Sequence, residues 1–237
     1  MSEIPTYILC IETANAVTSV AISKNGQCFA IKEALEPNKA ADKLHLLIAE
    51  LLVATGLSFS DLRAVAISAG PGSYTGLRIA AAAAKGYCFS LEIPLISIST
   101  LEAMVYGVQT RYNQNDFDEY VPMIDARRME VFTSFYNKDR ETIKTFSSLI
   151  LDLTFERFFD LQKKYLLFGN GAEKAKTLLI NDNILFVDGF IPSAQDLCSL
   201  AFSSFSDKKF EELAYFEPNY AKAFYSTQIK AHLKQKK

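Results

Sequence analysis

A glycine-rich turn is the part of this sequence whose residue types point most directly to chemistry. A short apolar run at residues 64–69 stops at Gly70-Pro71-Gly72, and residues 73–90 have the composition of a helix. A strand, a glycine turn and a helix in this order aim backbone N–H groups and the positive end of a helix at an anion. The alternative is a tight turn that needs glycine only for a positive φ. Both interpretations are open from the sequence.

Residues for nucleophilic or metal chemistry are few. The two histidines, His45 and His232, belong to no HxxxH or HExxH pattern, and the four cysteines form no CxxC pair. A zinc or iron site and a Ser-His-acid arrangement therefore have little support, and we assign no catalytic residue. The segment Asp125-Ala126-Arg127-Arg128 sets an acid beside two arginines, which we interpret as a salt-bridged hairpin rather than a catalytic site.

Composition excludes several classes of protein. The length of 237 residues suits one large or two small domains. A net charge of −2 argues against a protein that binds nucleic acid by itself. No apolar run approaches the length of a membrane span, and the scattered cysteines are typical of reduced core residues, so we expect a cytoplasmic protein with no membrane contact.

The order of predicted elements occurs twice along the chain. The first half predicts strands at 7–13, 18–23 and 27–32, a helix at 39–55, a strand at 64–69, a helix at 73–90, a strand at 95–98 and a helix from residue 101. The second half predicts strands at 120–124, 130–136 and about 142–146, a helix near 155–164, a strand at 165–168, a helix from residue 172, a strand at 184–187 and a helix near 194–204. The polar segment 113–116 is the predicted boundary between the halves.

Three strands in a meander followed by alternating helices and strands resemble an RNase H-like domain. Two such lobes in tandem resemble the α/β actin and sugar-kinase superfold, here with lobes at 1–112 and 113–217. The resemblance implies that a C-terminal helix at 218–237 packs back on the first lobe. In that superfold a nucleotide lies between the lobes, and acids at the first hairpins flank its phosphates and magnesium. The corresponding candidate nucleotide-binding residues here are Glu12, Gly70, Gly72, Ser73 and Asp125.

Two predicted helices carry apolar residues on opposite faces. In helix 39–55 a core stripe follows the spacing i, i+3, i+4, i+7, i+8 from Leu44, and a second stripe lies on the far side. Helix 73–90 is apolar nearly all round. One explanation is that both helices are packed on two sides by their own chain. The other is an outer face that meets another subunit, with these predicted interface residues: Leu46, Ala49, Val53, Leu77, Ala81, Ala84 and Cys88.

Several segments together resemble the bacterial TsaB (YeaZ-like) family in order and spacing. They are ILCIETANAVTSVAI (8–22), GPGSYTGLRIA (70–80), AKG (84–86), DARRMEVF (125–132) and GNGA (169–172). The resemblance implies a catalytically silent relative of TsaD, the metal-binding protein that transfers a threonylcarbamoyl group to the adenosine beside the anticodon of certain tRNAs. It implies pairing with TsaD, joining by the ATPase TsaE, and contact with tRNA only through the complex. Both self-association and a monomeric state of the chain when alone are open from the sequence.

The leading hypothesis is therefore a non-catalytic scaffold subunit of the tRNA threonylcarbamoyladenosine complex. We expect no tightly bound cofactor, with ATP or ADP at the partner interface if nucleotide binds. The first alternative is a small-molecule kinase or ATPase of the same superfold, which would need a general base and a tight nucleotide site. The second is a glycoprotease-like peptidase, which the shortage of metal ligands disfavours.

Overall fold

The computed structural model describes residues 4–36, 39–112 and 116–221, apart from the side chain of Ser147. The first half forms β1 (Tyr7–Glu12), β2 (Thr18–Lys24), β3 (Gln27–Ala34), α1 (Ala40–Thr55), β4 (Leu62–Ser68), α2 (Tyr74–Leu91), β5 (Leu95–Ile98) and α3 (Thr100–Arg111). The second half forms β6 (Glu119–Asp125), β7 (Glu130–Asn137), β8 (Thr142–Ile150), β9 (Tyr165–Phe168), β10 (Ile184–Val187) and α4 (Cys198–Ser206). Most of the predicted boundary at 113–116 and of the predicted C-terminal helix at 218–237 lies outside the described residues.

Two five-stranded sheets share one topology. Their strand orders are β3-β2-β1-β4-β5 and β8-β7-β6-β9-β10. In each sheet the first three strands are antiparallel and the last two run parallel to the first. The predicted α/β fold, with the same order of strands in both halves, is confirmed. Glu12 and Asp125 occupy equivalent positions as the last residues of β1 and β6.

Helices cover both faces of the first sheet. Side chains of α1 and α2 pack with Leu9, Val20 and Val65 on one face, and Cys198 and Ala201 of α4 pack on the other. The central strands β1 and β4 are therefore buried on both faces, which explains their nearly continuous apolar sequences. Helix α3 lies between the sheets, because its buried side chains contact β6 and β9 as well as the first half. No helix within the described ranges combines the length and the apolar character needed to cross a membrane.

Local signals set the helix ends. Helix α1 stops at Gly56, which has a φ of 69° and donates its N–H to the carbonyl groups of the last turn. Helix α2 starts after Ser73, whose Oγ accepts the N–H of Gly76 at 3.2 Å. The β2–β3 hairpin turns at Asn25 and Gly26, both with positive φ, as an Asn-Gly hairpin requires.

The second half is less helical than predicted. In place of helices near 155–164 and from residue 172, the chain forms single 3-10 turns at Phe155–Phe158 and Ala172–Ala175. Asp152 Oδ1 accepts the N–H and the hydroxyl of Thr154 at 2.8 and 2.7 Å, a local alternative to helical hydrogen bonding. One turn is also enough to bury Phe155 beside the aromatic rings of the second sheet. These two helix predictions are wrong.

The chain returns to the first sheet after β10. A 3-10 turn at Ala194–Leu197 continues into α4, and both pack on Ile8 and Cys10 of the first sheet. The prediction placed residues 194–217 in the second lobe, so that assignment is wrong for this segment. Sequence order suggested the second lobe, but the small and apolar residues of the segment complete the core on the open face of the first sheet.

Candidate functional site

The glycine turn after β4 is occupied by the chain itself. Ser73 donates its N–H to the carbonyl oxygen of Ala14 at 2.6 Å, and Gly70 donates its N–H to Thr100 Oγ1 at 3.0 Å. The N–H of Gly76, at the start of α2, is bonded to Ser73 Oγ. Three N–H groups that could have met an anion therefore already have acceptors within the chain.

Close backbone packing explains the glycines of this turn. A Cβ on Gly72 would collide with the carbonyl oxygen of Ala14, and a Cβ on Gly76 would collide with that of Thr13. Gly70 has a φ of 102°, in a region that residues with a side chain rarely adopt. The turn thus clamps the β1–β2 loop against the start of α2, which supports the packing interpretation over an open anion site.

Glu12 lies below the surface at the end of β1. Its exposed fraction is 1%, and its Oε1 accepts the N–H of Ala14 at 2.6 Å. Burial raises the pKa of Glu12 from 4.5 to about 7, although hydrogen bonds from Ser68 and Ala14 favour the charged form. A carboxyl group that is partly protonated at neutral pH and has no access to solvent is poorly suited to hold hydrated Mg²⁺ in this conformation.

Asp125, the equivalent residue of the second half, is exposed and already paired. Its Oδ1 accepts the N–H of Arg127 at 2.6 Å and forms an ion pair with Lys174 Nζ at 2.5 Å. Lys174 also donates to the carbonyl oxygen of Arg128 at 2.6 Å. The predicted salt-bridged hairpin is therefore present, with Lys174 as the cation rather than an arginine of the segment. No local signal links Lys174 to this hairpin, since the two meet only through the packing of β9 beside β6.

The five predicted nucleotide-binding residues thus lie in two separate settings. Gly70, Gly72 and Ser73 form a closed turn next to buried Glu12, whereas Asp125 is part of an exposed hairpin in the second half. Within the described ranges, no three His, Cys, Asp or Glu side chains converge in a way that could hold a metal ion.

The predicted interface residues divide into an exposed set and a buried set. Leu46 is 51% exposed and Val53 is 82% exposed, and Ala49 between them is also exposed. The set from α2 is buried, with exposed fractions of 0 to 7%: Leu77, Ala81, Ala84 and Cys88. The prediction that these four face a partner is wrong. A helix that is apolar all round does not show from its sequence which side faces its own sheet.

The opposite side of α2 is the exposed one. Phe89 is 77% exposed, and Ala82 and Gly86 are also exposed. A hydrogen bond of 2.7 Å between His45 Nδ1 and the hydroxyl of Tyr87 joins α1 to α2, so their exposed stripes are neighbours. We call this surface the outer face and define it by Leu46, Ala49, Val53, Ile79, Ala82, Ala83, Gly86 and Phe89. Phe89 was missed, although its spacing from residues 79, 82 and 86 places it on their stripe.

Comparison with known proteins identifies the family. A family model described as TsaD, tRNA N6-adenosine threonylcarbamoyltransferase, matches residues 37–234. The tRNA threonylcarbamoyladenosine biosynthesis protein TsaB of Escherichia coli is 30% identical over 219 residues, which are 90% of this chain and 93% of that protein. The chain belongs to the TsaB family of tRNA threonylcarbamoyladenosine biosynthesis proteins. The resemblance inferred from the sequence motifs is confirmed.

Solved structures agree on the fold. A crystal structure of a Pseudomonas aeruginosa protein described as similar to peptidase YeaZ has a TM-score of 0.77 and 25% identity, covering 92% of this chain and all of that one. An activator of 2-hydroxyisocaproyl-CoA dehydratase from Clostridium difficile, solved with ADPNP, has a TM-score of 0.51 and 12% identity, covering 87% of this chain and 99% of that one. The second likeness concerns the fold alone.

Proposed function

We propose that this protein is a non-catalytic subunit that pairs with a TsaD-like transferase during tRNA threonylcarbamoyladenosine biosynthesis. In this proposal the partner transfers the threonylcarbamoyl group to tRNA, and a TsaE-like ATPase joins the pair. The complex acts in the cytoplasm. The observation that carries the proposal is the outer face of α1 and α2. An apolar surface of this kind is typical of a protein interaction site.

The composition of the outer face suits close association. Its centre on α2 is made of the small residues Ala82, Ala83 and Gly86, which let another backbone approach, and Val53 and Phe89 add large apolar contacts. Burying them against a partner would remove apolar area from water at about 25 cal/mol per Å². The outer face has the apolar character expected at the core of an interface.

The closed turn after β4 supports the absence of independent catalysis. A kinase or ATPase of this superfold needs N–H groups free to meet phosphate, whereas Gly70 and Ser73 already donate theirs within the chain. Glu12 is buried with a raised pKa, so it is a weak candidate for magnesium binding. Nucleotide, if the complex uses it, then lies at the boundary with the partner rather than in this chain's own turn.

Pairing tests the proposal directly. Val53→Glu and Ala82→Glu each place a carboxylate on the outer face, while Leu153→Glu places one on an apolar side chain that is 91% exposed in the second half. All three variants should stay folded by circular dichroism. The two outer-face variants should fail to co-purify with the TsaD-like protein of the same cell, because a desolvated carboxylate there costs several kcal/mol. Normal pairing by both would remove the outer face from the proposal.

Activity of the isolated chain is the second test. The purified protein should neither hydrolyse ATP at a measurable rate nor modify tRNA, and both activities should need the TsaD-like and TsaE-like proteins. Robust ATP turnover by the chain alone, abolished by a substitution near Glu12, would favour the ATPase alternative.

A further inference from the structure

The hairpin between β6 and β7 has two successive arginines in an unfavourable backbone conformation. Arg127 has a φ of 69° and Arg128 a φ of 52°, both in the left-handed region that favours glycine and asparagine. The β2–β3 hairpin of the first half, which occupies a different position in the sheet, also has two positive φ values but fills them with Asn25 and Gly26. The β6–β7 turn therefore has arginine in a backbone conformation for which the β2–β3 turn of the same chain has asparagine and glycine.

Contacts beneath the turn hold it in this shape. The Asp125 carboxylate accepts the N–H of Arg127, and the Lys174 ammonium group binds both that carboxylate and the carbonyl oxygen of Arg128. A hydrogen bond of 2.9 Å from the Asp125 N–H to Asn170 Oδ1 ties the turn to the loop after β9. Contacts from Asp125, Lys174 and Asn170 thus hold the backbone of the turn, and the two arginine side chains take no part in these contacts.

Neither guanidinium group has a partner within residues 4–36, 39–112 and 116–221. Arg127 and Arg128 are exposed, and among the residues that the structure describes neither guanidinium forms a hydrogen bond, an ion pair or a ring contact. The other arginine with a positive φ, Arg140, differs because it bonds Gln109 and lies over the ring of Tyr106. Backbone strain that is kept in place by bracing contacts, and that presents unpaired charges to solvent, is a feature of binding sites.

We propose that the Arg127-Arg128 turn binds backbone phosphates of tRNA within the complex. This inference rests on the proposed function, because it assumes that the chain reaches tRNA as part of an assembly. Paired guanidinium groups match phosphate oxygens through bidentate hydrogen bonds. The turn is the exposed end of a hairpin, and such a site suits the backbone of a long polyanion, whereas a small ligand needs a concave pocket that surrounds it.

The charge of the whole chain explains why this contact belongs to the complex. A net charge of −2 argues against a protein that holds nucleic acid by itself. Two arginines can orient RNA that a partner already holds, and they carry no information about its sequence. The turn is therefore a positioning site for the tRNA.

The test compares two charge-matched double variants in the reconstituted complex. Arg127→Gln/Arg128→Gln removes the two guanidinium groups of the turn, and Arg63→Gln/Lys138→Gln removes two exposed cations elsewhere. The probe is fluorescently labelled unmodified tRNA, with binding measured by anisotropy between about 50 and 200 mM salt. The turn variant should bind tRNA about tenfold more weakly, and its plot of log K against log salt should be shallower by about 1.4 to 1.8, for two lost phosphate contacts. The control should match the wild type.

A third variant separates binding from folding. Arg127→Asn/Arg128→Gly supplies residues that adopt a positive φ readily, as Asn25 and Gly26 do in the β2–β3 hairpin, so it should raise the Tm while weakening tRNA binding as much as the glutamine pair does. A rise in Tm with unchanged tRNA affinity would overturn the proposal, because the arginines would then be strained without a binding role.

Two further outcomes would also overturn it. Loss of pairing with the TsaD-like or TsaE-like protein in the turn variant, measured by sizing chromatography, would assign the arginines to a protein contact. A weakened affinity for ATP with unchanged tRNA binding would assign them to a nucleotide. Failure of the wild-type chain to pair with the TsaD-like protein would instead contradict the proposed function, so the two failures are distinguishable.

Discussion

At the scale of single residues, Glu12 is a carboxyl group whose chemistry is set by burial. The residue type and its position at the end of a strand suggested a metal or phosphate role, and neither reveals that the side chain is 1% exposed. Burial opposes ionisation, so the pKa of Glu12 rises to about 7. The sequence correctly predicted that Glu12 lies at the end of the first strand. It could not predict the burial of the side chain, because the burial depends on β4 and the β1–β2 loop, which contact Glu12 only in the folded protein.

The raised pKa of Glu12 predicts a specific dependence of stability on pH. The folded protein holds the Glu12 proton more tightly than the unfolded chain, so this residue's contribution is complete below about pH 4.5 and is lost as the pH rises through about 7. Glu12→Gln removes this titration. We compare the free energy of unfolding of the variant with that of the wild type at pH 4.5 and at pH 8, by urea denaturation. The difference, variant minus wild type, should be about 3 kcal/mol more positive at pH 8 than at pH 4.5.

The exposed carboxylate of Glu217 provides the control for that measurement. Glu217→Gln should leave the difference between the two pH values close to that of the wild type. A Glu12→Gln profile parallel to the wild-type profile would contradict the assigned pKa.

Substitution of Gly72 should lower the stability of the protein through a steric clash rather than through charge. A Cβ at this position would collide with the carbonyl oxygen of Ala14, which is also the acceptor for the Ser73 N–H. Gly72→Val should therefore lower the free energy of unfolding by about 1–3 kcal/mol, as expected for overpacking. Gly86→Ala is the control, because the new Cβ would meet no atom within 4 Å outside its own helix backbone and chain neighbours, and it should keep or raise the Tm since alanine favours a helix over glycine. An unchanged Tm for Gly72→Val would show that the β1–β2 loop moves aside freely.

At the scale of elements, hydrophobic spacing located the strands and long helices well. The strands at 95–98, 165–168 and 184–187 lie where the sequence predicted them. The failures have physical causes. The phenylalanines after residue 154 have helical spacing but need only one 3-10 turn, and α2 is apolar on every side, so its buried face depends on which side meets the sheet.

Two neighbouring alanines of α2 test which face is buried. Ala81 is 7% exposed and packs in the core of the first sheet, whereas Ala82 is exposed on the outer face. Ala81→Glu should unfold the protein or lower its Tm sharply, because a buried unpaired carboxylate costs several kcal/mol. Ala82→Glu should keep the wild-type circular dichroism spectrum and a Tm within a few degrees. Equal stability of the two variants would mean that α2 is rotated relative to its assigned orientation.

At the scale of the whole molecule, an ion pair ties the returning segment to the helix between the sheets. Arg111, at the end of α3, donates from Nε and Nη2 to the two carboxylate oxygens of Asp196 at 2.7 and 2.8 Å. The same guanidinium also donates to the carbonyl oxygen of Ile191. Gly107 of α3 admits this contact, since a Cβ there would lie 2.7 Å from the Asp196 carboxylate. No sequence pattern links residues 111 and 196, because they meet only when α4 packs on the first sheet.

Loss of this ion pair should destabilise the protein in a pH-dependent way. Burial raises the pKa of Asp196 to about 6 although Arg111 favours its charged form, and its side chain is 2% exposed. Arg111→Met leaves that carboxylate buried without its cation, which should lower the free energy of unfolding by about 3–5 kcal/mol at pH 8. The loss should shrink as the pH falls through about 6 and be small at about pH 4, because Asp196 is then protonated in the folded protein and carries no charge that needs a cation. Urea denaturation at pH 8 and at about pH 4 measures the loss of stability, and Arg63→Met at an exposed arginine is the control. An equal loss of stability at the two pH values would mean that Arg111 acts through packing on Phe190 rather than through its charge.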